Sequence, residues 1–236
     1  MHILKKNHGF LLILFILLLA IPHTFAINIS SPQKINNIFP DIGMARAIKN
    51  ILCKPSLDSI LTQDELNSVE IFFQPVCDRQ LYKISNLEGI QYLNNLKQIT
   101  IAGGEIIDIN PLNDLLNLNA ISLPYNKIND LTPLSKLKKL THLELSNNQI
   151  SNLQPLSSLH NLCWLEIAQN QIDDLSPLKR LRKLKTLNIM GNPADYTQLA
   201  SLKGLKIFYL DSQNMSNTYL SPGSKPNFIW RLFGWS

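Results

Sequence analysis

Between Ile99 and Leu187 the chain repeats one pattern of apolar and polar positions every 22 residues. The segments starting at Ile99, Ile121, Leu143 and Leu165 read ITIAGGEIIDINPLNDLLNLNA, ISLPYNKINDLTPLSKLKKLTH, LELSNNQISNLQPLSSLHNLCW and LEIAQNQIDDLSPLKRLRKLKT. Each opens on apolar–polar–apolar alternation, as in Leu143-Glu144-Leu145, which predicts a short strand with two side chains turned inward. A turn follows, centred on Asn126, Asn148, Asn170 and Asn192 in successive units. Apolar residues then come every third position (Ile150, Leu153, Leu156, Leu159, Leu162), the spacing of extended or 3₁₀ backbone. Pro111, Pro133, Pro155 and Pro177 stand just before this return segment, where a fixed φ and a missing N–H cost nothing. A fifth unit from Leu187 has lost one residue, so that Phe208 and Leu210 take the places of Leu187 and Ile189. Ile84, Leu87, Ile90, Leu93 and Leu96 form a half unit in the same phase. One such coil cannot bury its own apolar face, so the coils must stack. The predicted fold is an α/β solenoid with short parallel strands on the concave side and a 3₁₀ or irregular convex side.

The segment before the repeats has a helical period. Phe39-Pro40-Asp41 leads into a stretch with Ile42, Ala47, Ile48, Ile51 and Leu52 on one face, with Asp41 suited to the N-cap. Thr62-Gln63-Asp64-Glu65 is a capping box before Leu66 and Val69. An uncovered solenoid end would expose a strand edge and a slice of core, so some cap is physically required.

The pattern L-x-x-L-x-L-x-x-N-x-I with D-L-x-P-L, over about residues 81–210, resembles the 22-residue leucine-rich repeat of the internalins. Two short helices ahead of the solenoid resemble the α-helical cap of that family. The resemblance implies a bacterial surface or secreted factor that engages a host protein. Internalins usually continue into an immunoglobulin-like domain; the 26 residues after Leu210, with Phe228, Trp230, Phe233 and Trp235, are read instead as a tail folded over the last coil or onto another surface. The expected division is thus a leader over 1–26, a helical cap over 27–80, repeats over 81–210 and a tail over 211–236.

The leader changes the reading of location. Lys5 and Lys6 precede an apolar run of about 12 residues from Phe10 to Ile21, and Thr24 and Ala26 stand at −3 and −1 of a small-residue cleavage site. A membrane span needs roughly 17–25 apolar residues, so the expectation is cleavage and a secreted or extracytoplasmic, monomeric protein. The net charge is +5 from 22 basic and 17 acidic residues, or +3 without the two leader lysines, which is no argument for a nucleic-acid partner. Three cysteines are too few for a disulfide scaffold or a four-ligand zinc site. Cys53 and Cys77 are a disulfide candidate in an oxidising compartment, against the alternative of two free thiols; the bond would close a loop of about 25 residues and contribute roughly 3 kcal/mol. Cys163 is left as the odd, partly exposed thiol.

Strand alternation turns three columns of side chains onto the concave face. The middle column is Thr100, Ser122, Glu144, Glu166, Asn188 and Tyr209. Its neighbours are Gln98, Ala120, His142, Trp164, Thr186 and Ile207 on one side, and Ala102, Pro124, Ser146, Ala168, Met190 and Asp211 on the other. Tyr125, His142, Glu144, Trp164, Glu166, Asn188 and Tyr209 are the candidate partner-binding residues. Trp164 is read as an exposed anchor, with packing on His142 or Thr186 as the competing reading. Glu144 beside Glu166 brings like charges together on adjacent rungs, which suits a partner with Arg or Lys. The turn asparagines are read as structural, satisfying backbone groups left open by the turn. The convex side is basic in two coils (Lys136, Lys138, Lys139; Arg180, Arg182, Lys183), and weak association with membrane or cell-wall polymer is the alternative function. His142 with Glu144, or Cys163 with His160, can be written as catalytic dyads, but no phosphate loop, H-E-x-x-H or paired Cys-x-x-Cys accompanies them. A binding protein with no catalytic residue, cofactor or metal is expected.

Overall fold

The computed structural model describes residues 26–74, 83–201, 205 and 207–209. The expected leader and tail, and Cys77 of the Cys53–Cys77 pair, lie outside the described residues. Cys53 itself is exposed, with a left-handed φ of 51°.

The cap starts with β1 (Gln33–Lys34), antiparallel to β2 (Ile60–Leu61). Between them lie α1 (Ile35–Ile38) and α2 (Ile42–Ile51). As expected, Asp41 caps α2, accepting from Met44 N at 3.0 Å. The buried face differs from the expected one: Gly43, Met44, Ala45 and Ile48 point inward, while Ile42 and Ile51 are exposed. α3 (Gln63–Asn67) carries the full capping box between Thr62 and Glu65. Lys54 pairs with Glu65 and, with the Thr62 bonds, holds that carboxyl below its ordinary range.

Among the described residues, seven parallel strands follow in chain order: β3 (Ile71–Gln74), β4 (Gln98–Ile101), β5 (Ala120–Ser122), β6 (His142–Glu144), β7 (Trp164–Glu166), β8 (Thr186–Asn188) and β9 (Ile207–Tyr209). β3 lies inside the stretch assigned to the cap, so the sheet begins earlier than the 22-residue pattern. The one-residue loss in the fifth unit is absorbed in the coil, and Leu187 lies opposite Phe208. The return sides are 3₁₀ turns at Asn110–Leu112, Thr132–Lys136, Gln154–Ser158 and Ser176–Arg180, each with its proline at the start.

The core is one continuous stack of leucine and isoleucine from Ile84 to Ile189, almost all wholly buried. Burying each such side chain contributes about 1.5–3 kcal/mol. The asparagines form a ladder beside it. Asn148 donates to Leu123 O of the preceding coil and Leu145 O of its own, both at 3.0 Å, and accepts from Ile128 N at 2.9 Å. Asn126, Asn170 and Asn192 do the same one coil apart. The residue before each ladder position is left-handed: Gly103, Tyr125, Asn147, Gln169 and Gly191 have φ of 55–72°. Gly104 opens the ladder in place of an asparagine, because a Cβ there would run into Ile84 O.

Candidate functional site on the concave sheet

The concave side is built by residues at one strand phase, brought level by the parallel register. Pairing sets Ser122 opposite Glu144, Glu144 opposite Glu166, and Glu166 opposite Asn188, with Tyr209 next to Asn188. Ser122 Oγ donates to Glu144 Oε2 at 2.5 Å. Asn188 Oδ1 accepts from Met190 N, so its amide nitrogen is the group left to donate to Glu166. The two carboxylates therefore sit between a hydroxyl on one flank and an amide on the other.

They are far less exposed than concave positions suggest. Glu166 is 6% exposed, and its Oε1 is buried without a hydrogen-bond partner. Burial, and then the Glu144 charge, push the Glu166 carboxyl up to about 7, with Asn188 opposing. Burial likewise raises Glu144, against the Ser122 bond. A buried and a half-buried carboxylate on adjacent rungs keep a proton more readily than either would alone.

Trp164 is not the exposed anchor expected. It is 9% exposed, and its ring lies 5.9 Å from that of His142 at 49°, a tilted aromatic contact. Rungs about 4.8 Å apart press large side chains against their neighbours, and the His142 ring lies against the indole. Thr141 Oγ1 donates to Asn119 O and lies 2.9 Å from His142 Nδ1. Its one proton is spent on the carbonyl, so His142 donates from Nδ1 and keeps Nε2 as an acceptor. Burial lowers the His142 pKa.

The floor of the patch is thus Trp164, Glu166 and Ser146, whose Oγ is also buried without a partner. Its rim is His142, Glu144 and Asn188, half-buried, with Tyr125 63% exposed at its left-handed turn. Two further concave residues escaped the sequence reading because their strand was assigned to the cap. Ile71 and Phe73 of β3 are 56% and 40% exposed, opposite Gln98 and Thr100. The alternation in Ile71-Phe72-Phe73-Gln74 is the signal that could have found them.

Neither written dyad is assembled. Cys163 donates to Asn161 O, and among the described residues no hydrogen bond joins it to His160. No group of three His, Cys, Asp or Glu among them could hold a metal ion.

The internalin N-terminal family, described as a bacterial adhesion/invasion protein N terminus, matches residues 24–67. Internalin C of Listeria monocytogenes serotype 1/2a is 35% identical over 75 residues, covering 32% of this chain and 24% of Internalin C. A crystal structure of an internalin (inlF) from Listeria monocytogenes matches with a TM-score of 0.63 and 29% identity, covering 76% of this chain and 58% of the other. A secreted internalin-like protein from Listeria monocytogenes shares the fold at a TM-score of 0.57 and 17% identity, over 78% and 68% of the two chains. This chain spans about a quarter of the curated relative and a little over half of the inlF structure. Helical cap, asparagine ladder, coil and solved neighbours agree in one architecture: residues 24–67 match the internalin N-terminal family, and the chain is similar to the internalins in its leucine-rich-repeat fold.

Proposed function

We propose that the protein is an exported binding module of the bacterial adhesion and invasion type that engages a host protein on its concave sheet. The observation that carries this reading is the buried, unpartnered Glu166 Oε1 beneath the half-open Glu144. A carboxylate floor of that kind is costly unless a donor arrives, and a partner's arginine or lysine supplies one. Tyr125 and His142 flank the opening and add aromatic area at the rim. An open sheet excludes water poorly, which favours binding over catalysis.

Capture from host-cell extracts is run with the full wild-type chain and with Glu144→Lys/Glu166→Gln as baits. A host protein held by the first and released at least tenfold faster by the second supports the proposal. Equal retention by both baits overturns the assignment of the site, since the partner would then be reading another face.

A further inference from the structure

The convex side carries a cavity of about 490 Å³ lined by His160, Lys179, Arg180, Arg182 and Lys183. His160 comes from the loop after one 3₁₀ turn and the other four from the next coil, so stacking assembles the site from two repeats. Among the described repeats most other cations are occupied, Lys185 excepted. Lys136 pairs with Asp114, Lys83 and Lys127 with Glu105, and Lys97 with Glu70. Lys138 and Lys139 donate to Ser158 Oγ and Asn117 Oδ1, both at 2.7 Å. In the cavity Lys183 donates to Asn161 Oδ1, and Asp174 lies within the field of Lys179. Arg180 and Arg182 make no ion pair or side-chain hydrogen bond among the described residues. Two unpaired guanidinium groups beside two lysines form a positive hollow with their donors unspent.

We infer that this cavity binds a sulfated polysaccharide, one sugar ring with its oxyanions at a time. The cavity is many times the size of a single tetrahedral ion, and the aliphatic stems of its Lys and Arg side chains offer apolar surface to a ring face. Among the described residues no Phe, Tyr or Trp lines it, so nucleic-acid bases have no ring of that kind there to stack on. None of the exposed large apolar residues among those described lies beside it, so a membrane finds no anchor. A ringless phosphate polymer would make no use of the stems. This site lies on the opposite side from the concave carboxylates, and its test is independent of theirs.

Calorimetry with the full chain and a heparin octasaccharide at low salt provides that test. Unsulfated dextran, polyphosphate and phosphatidylglycerol vesicles serve as comparison probes. Arg180→Glu/Arg182→Glu should weaken octasaccharide binding at least tenfold, and Arg180→Gln/Arg182→Gln somewhat less. The charge-matched Lys97→Glu/Lys127→Glu protein should change less than threefold. The slope of log affinity against log salt should fall by about two on loss of the two arginines. Melting curves should show both arginine variants folded, since both side chains are exposed. The inference is overturned by unchanged binding in the arginine variants or by an equal loss in the lysine control. It is equally overturned if polyphosphate or vesicles bind as tightly with the same dependence on Arg180 and Arg182.

Discussion

Glu166 holds a carboxyl with a folded pKa of about 7 against an unfolded value near the ordinary ~4.3. The folded state therefore holds its proton at pH values where the unfolded chain has released it. Stability falls as pH rises between those values, and the cost is complete above pH 7, at roughly 3 kcal/mol or less. Urea midpoints of the wild type should fall more from pH 5.5 to pH 8 than those of Glu166→Gln, which should exceed the wild type at pH 8. The lowered carboxyls of Glu65, Glu105, Asp130, Asp174 and Asp195 act with the opposite sign. Their contribution is present above the ordinary carboxylate range and is lost below it, so it lies outside pH 5.5 to 8; within that window the raised Glu144 acts with Glu166 and the lowered His142 against it, and the difference between wild type and Glu166→Gln reads Glu166. Trp164 belongs to the same scale. Because the indole is almost fully covered, Trp164→Ala should cost about 2–4 kcal/mol, read as a lower urea midpoint, and Trp164→Phe markedly less. Alternation along a strand assigned both residues to the concave face, which is where they are. It carries no information on how closely the next rung presses, and that decides their burial.

At the scale of elements, one side chain ties the α2 cap directly to the first coil. Asp41 Oδ1 caps α2, while Oδ2 accepts from Ser85 N at 2.9 Å, Asn86 N at 3.1 Å and Ser85 Oγ. The N-cap was legible in Asp41 and the helix pattern after it. The second set of bonds spans more than forty residues and has no local signature. Asp41→Ala should cost about 2–4 kcal/mol, more than an N-cap alone, in denaturant unfolding. Asp41→Asn, which keeps an acceptor, should recover part of that loss. Gly89 marks the same junction: its φ is 98°, and a Cβ would strike Ile38 O and the Phe39 ring. Gly89→Ala should lower the melting temperature, whereas Ala at Gly103, equally left-handed but with nothing within 4 Å, should cost only the backbone strain of about 1–2 kcal/mol.

For the whole molecule, stability is the sum of coils and of the interfaces between them. The cap closes this stack through β3, whose Phe72 is fully buried opposite Ile99. A fragment of residues 83–236 lacks that strand and leaves the β4 edge open, with Ile99 and Ile101 uncovered. It should melt below the full chain and self-associate in size-exclusion chromatography. A monomeric fragment with an unchanged melting temperature would show that the cap does not hold the first coil.

The sequence by itself determined the architecture. A 22-residue period with two inward positions per strand, a fixed turn asparagine and a proline before each return leaves stacking as the only way to bury the leucines. The same local rules named the caps of α2 and α3 and the columns of the concave face. Tertiary structure alone decided what each column offers. Packing of successive rungs sealed Glu166, laid His142 against Trp164, and set His160 of one coil beside the cations of the next around one hollow. It also recruited Ile71–Gln74 into the sheet, across a first coil longer than the repeat. These outcomes depend on contacts between residues one coil apart, whose packing distances and solvent access are set by the stack and not by any single repeat.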